Sequence, residues 1–160
     1  MTVGRFLAGI AALIWNPDND HYLLLRRAAD KDFGPGGWEC PTGRLDQGEG
    51  FVEALHREVW EELGVEIQLE FPLGVTHFYR GEARPENELV GLVFCCSIVP
   101  GQTIQTSAEH DAWHWLGGAE LEDFLPHDHW LRPILQRARF FQSQLPADVR
   151  QYYQEQGFGF

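Results

Sequence analysis

From Phe6 to Trp15 the chain is apolar at nearly every position, a run suited to a strand buried on both faces. Asn16-Pro17-Asp18-Asn19-Asp20 is a turn cluster, and His21–Arg26 reads as the returning strand of a hairpin. A polar loop then runs through Gly34-Pro35-Gly36-Gly37 to a short extended piece at Trp38-Glu39-Cys40. Between Phe51 and Leu63 the period becomes helical. Val52, Val59 and Leu63 share a stripe with Leu55 and His56 at its edges, and Gly64 supplies a stop. His56, at that edge, reads as a structural histidine. Val65–Phe71 and Val75–Arg80 alternate as two strands, interrupted by Pro72 and Gly74. Leu89–Val99 is the most apolar strand pattern and belongs at a sheet centre. Trp113–Leu116 predicts a short strand and Ala119–Phe124 a short helix stopped by Pro126. Trp130–Leu145 predicts an amphipathic helix, Asp148–Gln156 a last short one, and Gly157–Phe160 a loose tail. With no repeats or linkers, this order predicts one α+β domain over residues 1–160.

Composition narrows the picture. A chain of 160 residues with 44% apolar content can bury one sizeable core. The formal net charge is −12, with Lys31 the only lysine, so no nucleic-acid-binding surface is evident. Cys40, Cys95 and Cys96 are odd in number and form no C-x-x-C, which suggests neither a disulfide framework nor a zinc site. Adjacent Cys95 and Cys96 should point to opposite sheet faces. This usage fits a reduced, cytoplasmic protein. The Phe6–Trp15 run leads straight into a turn and another strand, so it reads as strand rather than as a secretory leader. No run reaches the roughly 18 apolar residues of a membrane span.

Candidate chemistry concentrates on the Phe51–Leu63 helix. Glu58, Glu61 and Glu62 stand at i, i+3 and i+4 and so share a face, with Arg57 the only cation in the helix. Like charges at this spacing cost about a few tenths of a kcal/mol per pair. Divalent cations would remove that repulsion, since Mg²⁺ and Mn²⁺ prefer oxygen ligands. A solvated acidic face is the plainer reading of such a cluster, but the wider spacing speaks against it. Gly43, Glu49, Arg57, Glu58, Val59, Glu61, Glu62, Gly64 and Val65 fill every specified position of G-x5-E-x7-R-E-U-x-E-E-x-G-U, where U is aliphatic. At ordinary residue usage such a match has a chance below roughly one in 10⁹ per starting position. The stretch therefore resembles the signature of the Nudix hydrolases, the family of MutT-like pyrophosphohydrolases.

That resemblance implies a mixed sheet between helices, an α/β/α sandwich. It also implies Mg²⁺- or Mn²⁺-dependent hydrolysis of a nucleoside diphosphate linked to a group X, by attack of water on the pyrophosphate bridge. Glu58, Glu61 and Glu62 match the family's metal-binding carboxylates, and Gly43 the glycine whose carbonyl often joins them. Arg57 and Glu49 match a pair thought to orient loop and helix. The general base is open between the signature helix and a later loop, where Glu109 stands six residues before Trp115, as in one subset of the family. His110, His114, His127 and His129 are candidates by residue type alone. Arg26, Arg27, Arg44, Arg80 and Arg84 are candidates for phosphate oxygens, and Phe33, Trp38, Phe78 and Tyr79 for stacking on a base. Thr42 stands where relatives often carry a second glycine. Pro126-His127-Asp128-His129 lacks the base-binding asparagine of the oxidised-nucleotide-cleansing members, so X stays open. Many relatives form homodimers. The contrasting function, from another class, is a catalytically silent domain that senses a nucleotide or binds a protein.

Overall fold

The architecture follows from strand pairing in the computed structural model, which describes residues 4–158. Strand β1 (Leu7–Asn16) forms on the continuous apolar run, and its middle six residues are buried. It runs parallel to β6 (Glu88–Ile98), from Leu7↔Leu89 to Ile14↔Cys96, and antiparallel to β4 (Thr42–Arg44). β6 pairs antiparallel with β5 (Ile67–Tyr79), so β6 lies inside the sheet, as its composition predicts. β2 (His21–Arg27) leaves the hairpin after two residue pairs and instead joins β3 (Trp38–Glu39) and β7 (His110–Gly117). The sheet is therefore mixed, and it splays where β1 hands over to β2.

Strand alternation sends side chains to two cores. On one face α1 (Phe51–Leu63) lays Ala54, Leu55, Val59 and Leu63 against Ile10, Ala12, Ile14, Leu23, Leu25, Phe94 and Cys96. On the other, α2 (Gly118–Phe124) and α3 (Leu131–Gln144) set Leu121, Leu131, Leu135 and Ala138 against Ala11, Leu13, Tyr22, Leu24 and Cys95. This is the α/β/α sandwich, and Cys95 and Cys96 do part to opposite faces. All three cysteines are free and buried. Helix α4 (Ala147–Gln156) lies along β5, where the buried Glu70 carboxylate accepts from Ser97 Oγ at 2.6 Å and Gln154 Nε2 at 3.1 Å. Among the described residues, no helix is long and apolar enough to cross a membrane.

Four features differ from the sequence expectation. The two strands on either side of Pro72 are one strand, β5, with register shifts between Leu69 and Phe71 and between Pro72 and Gly74. β5 is an edge strand, where a residue without an N–H is tolerated and bulges absorb the irregularity. His56 is exposed rather than structural, because the buried stripe of α1 runs through Ala54 and Leu55 instead. Phe158 is not loose: it stacks on Tyr153 at 4.5 Å and packs edge-on to Phe94 at 6.1 Å. Gly159 and Phe160 lie outside the described residues. Finally, β7 begins at His110 rather than Trp113, and this matters for the site below.

Candidate active site

Helix α1 is fastened at both ends. Gly50 N–H donates to Glu53 Oε2 at 2.9 Å at its start. At its end Gly64 adopts a left-handed conformation (φ 64°) and donates its N–H to Trp60 O at 2.8 Å, the stop that a glycine takes without strain. Arg57 ties the helix to the preceding loop. Its Nε and Nη2 donate to the two oxygens of Glu49 at 2.7 and 2.8 Å, and Nη2 also donates to Arg44 O at 2.9 Å. The Arg57 hydrogen bonds, helped by the Asp46 N–H at 2.9 Å, hold the Glu49 carboxyl down to about 2. This bidentate clasp fixes where the loop enters the helix.

The three helix carboxylates are graded rather than grouped. Glu61 is exposed, Glu58 half-buried, and Glu62 is 4% exposed. Arg57 Nη1 donates to Glu58 Oε1 at 2.9 Å and to Glu61 Oε2 at 3.4 Å. Among the described residues, no three His, Cys, Asp or Glu side chains gather closely enough to hold one metal ion. By their spacing Glu58, Glu61 and Glu62 share a face of α1, but the surroundings of their carboxylates differ. Arg57 draws two of them to itself, and the third faces the protein interior.

Even so, the donor set fits a hard divalent cation. Burial pushes the Glu58 carboxyl up, against the pull of Arg57. Burial pushes Glu62 well above the carboxylate range, and the nearby charges of Glu39, Glu58 and Glu109 push it further; the Thr42 backbone opposes them. Glu62 Oε2 is buried and has no hydrogen-bond partner, a costly state for a carboxylate. Gly43 closes the other side. A Cβ there would lie 1.9 Å from Glu58 Cδ, so a larger residue would push the Glu58 carboxylate aside. Oxygen donors and an orphaned buried carboxylate suit a hard divalent cation.

Two further residues reach the cluster from the sheet, and sequence reading missed the first entirely. Glu39 on β3 accepts from Arg27 Nη1 at 2.8 Å and pairs with His110 Nε2 at 3.0 Å. His110 Nδ1 faces Glu62 Oε2 at 4.0 Å and likewise has no hydrogen-bond partner. A β-bulge makes this possible. Arg26 opposes Ala112 and Arg27 opposes His110, so Asp111 is an extra residue that reverses the alternation of β7. Trp115 packs on the α1 side and His114 stacks on Trp38 on the opposite side. Unbulged, His110 would follow His114 away from α1. The loop before it is tied to α1, with Ser107 N–H donating to Glu62 O, and to the end of β2, with Ala28 N–H donating to Glu109 O, both at 2.8 Å.

The substrate candidates divide. Arg80 lies over the Phe33 ring, its guanidinium carbon 5.5 Å from the centroid. Burial lowers the Arg80 pKa, and the positive charges of Arg44 and Arg27 lower it further, so these three cations share one region with Glu39 and Glu109. Tyr79 and Phe78 are exposed at the end of β5. Arg26 and Trp38 face the other side of the sheet. Arg26 pairs with Asp111 at 2.6 Å, and Trp38 packs between His114 and Phe124. Arg84 pairs with Glu82 in the exposed connection. His129, stacked on Trp130, has its pKa lowered by burial, and His127 is exposed.

Comparison with known proteins bears on this geometry. A model of the NUDIX domain matches residues 5–138. The nucleoside triphosphatase NudI of Klebsiella pneumoniae (strain 342) is 29% identical over 111 residues, covering 65% of this chain and 78% of that protein. An octanoyltransferase of Myxococcus xanthus is 34% identical over 117 residues, 72% of this chain. That match covers 31% of the transferase, so the activity in its name is not carried here. The crystal structure of a MutT protein from Methanosarcina mazei Go1 superposes with a TM-score of 0.71 at 24% identity, covering 91% of this chain and 100% of that one. This last likeness speaks to the fold.

Proposed function

The chain belongs to the NUDIX domain family, and from that premise we propose a single-domain, divalent-metal-dependent hydrolase of the pyrophosphate linkage in a nucleoside diphosphate joined to X. The observation that carries this reading is the orphaned Glu62 carboxylate, buried on the signature helix beside Glu58 and Gly43. Glu58, Glu61, Glu62, Glu109 and the Gly43 carbonyl would hold Mg²⁺ or Mn²⁺. Such a cation, when bound, neutralises diphosphate charge and makes an attacking water more acidic.

The other roles belong to the chain. The Arg57–Glu49 clasp keeps α1 and its loop in register and so fixes the helix that carries the carboxylates. Arg27, Arg44 and Arg80 take the phosphate oxygens, with Phe33 serving as a platform for Arg80 rather than for the base. Tyr79 and Phe78 offer stacking surface at the cleft rim. Glu109, on a loop tied to α1 through Ser107, serves as a metal ligand or, in its place, as the base that accepts a proton from the attacking water. Arg26 and Trp38 bound the far face and reach only a group that extends there. A reduced cytoplasmic setting is proposed with this activity.

The test is phosphate release over a panel of nucleoside triphosphates and nucleotide derivatives, with Mg²⁺ or Mn²⁺ added. Turnover of at least one member that disappears in Glu62→Gln is expected. Nucleotide binding with no turnover of any member would instead favour a silent sensing domain.

A further inference from the structure

Of the polar chain behind Glu62, only Arg27 has a place in the roles above. It runs Arg27 Nη1 to Glu39 Oε1 at 2.8 Å, Glu39 Oε1 to His110 Nε2 at 3.0 Å, and His110 Nδ1 toward Glu62 Oε2 at 4.0 Å. The His110 side chain is fully buried, and both atoms at the last gap lack partners. A purely structural histidine at a sheet edge would be expected to satisfy both ring nitrogens. Here one nitrogen is pinned and the other is aimed, across a gap too long for a hydrogen bond, at the inner oxygen of the most buried carboxylate on α1. The bulge at Asp111 is what aims it.

Resting on the metal-dependent reading above, we infer that His110, anchored by Glu39, is a positioning residue for Glu62. The imidazole backs the inner oxygen, so the carboxylate cannot rotate into the interior and keeps its other oxygen turned toward Glu58 and β4. Glu39 fixes the ring plane, and Arg27 fixes Glu39. Outer partners of this kind orient ligands that they do not themselves replace, and losing them typically weakens metal affinity by about 10- to 100-fold.

The experiment is Mn²⁺ titration of the purified protein, read by loss of the free-ion electron paramagnetic resonance signal. Wild type is compared with His110→Gln and Glu39→Gln, and each variant's melting temperature is taken to confirm folding. His110→Gln can still reach Glu39 but removes the ring edge that faces Glu62. It is expected to bind Mn²⁺ about tenfold more weakly or worse. Its nucleotide KM at saturating Mn²⁺ should be unchanged, a split that a loosened core would not produce. Glu39→Gln should weaken Mn²⁺ in the same direction by a smaller factor, and it carries the test if His110→Gln does not fold. Folded variants whose Mn²⁺ affinity lies within twofold of wild type would overturn the inference while leaving the metal site standing. A wild type that binds no Mn²⁺ would overturn both.

Discussion

Helices α1 and α3 cover opposite faces of one sheet, and both carry charge close to it, yet they settle that charge differently. On α3, Arg132 Nη1 donates to the carbonyls of Glu122 and Leu125 at 2.8 and 2.6 Å. Arg137 Nη1 donates to Leu73 O at 2.8 Å, and Arg139 meets Glu122 at 3.6 Å. Its buried residues, Leu131, Leu135 and Ala138, are all apolar. On α1 the buried set includes Glu62, whose inner oxygen meets no donor. Charge that ends on a partner within the fold serves stability. Charge left without one lowers stability, and its presence needs another reason.

The sharpest break between the two helices should come from Glu62→Gln. Catalytic turnover is expected to fall by about 10²- to 10³-fold, the scale of losing a preorganised electrostatic group. The same variant should melt higher than wild type without metal, because folding no longer has to protonate and bury an unpartnered carboxylate. Arg57→Lys comes next: a single ammonium cannot reproduce the two-pronged grip on Glu49. A loss of about 10-fold in activity is expected, at the lower end for outer partners of a metal site. On the other helix, Arg137→Met should cost about 1.5–3 kcal/mol of stability by leaving Leu73 O without its charged donor. Turnover per folded molecule should not change. Equal effects of Glu62→Gln and Arg137→Met on activity and stability would erase the distinction.

The smallest effect is on pH dependence, and within α1 itself the two signs oppose. Glu49 is held at about 2 in the folded protein against an ordinary 4.5. Its contribution is therefore present above about pH 4.5 and lost as pH falls toward 2. Glu62 is raised, so its folded form holds a proton that the unfolded chain releases near 4.5. In metal-free protein it subtracts stability progressively as pH climbs above that value. Urea midpoints measured against pH should show the acid-side loss shrinking in Glu49→Gln and the alkaline-side loss shrinking in Glu62→Gln. The reverse assignment would contradict both environments.

Short-range pattern made much of this legible. The helix at Phe51–Leu63 appears with the bounds its period predicts, because glycines punctuate it and its apolar stripe is regular. The spacing from Gly43 to Val65 placed the clasp and the carboxylates on one loop and one helix. What could not be read came from long-range register. Glu39 is one glutamate in a two-residue strand, and nothing nearby marks it. His110 reaches Glu62 only through an extra residue at Asp111, and a bulge that reverses alternation leaves no trace in apolar periodicity. Pro72 reads as a breaker until β5 is known to be an edge. The facing of Arg26 and Arg27 to opposite sides was available from simple alternation, and it separates two arginines that composition alone groups together.

On the proposed reading, Glu62 of α1 is left without a partner because a divalent cation belongs beside it. Thermal unfolding with and without millimolar Mn²⁺ tests it most directly, in wild type and in Glu62→Gln. At about 100 times its dissociation constant, a ligand that binds only the folded state adds about 2.7 kcal/mol. For a chain of this size that corresponds to roughly 5–10 °C in Tm. Wild type should gain such a shift and Glu62→Gln should lose most of it. A wild-type Tm that Mn²⁺ leaves unmoved, or a shift of equal size in the variant, would contradict the claim.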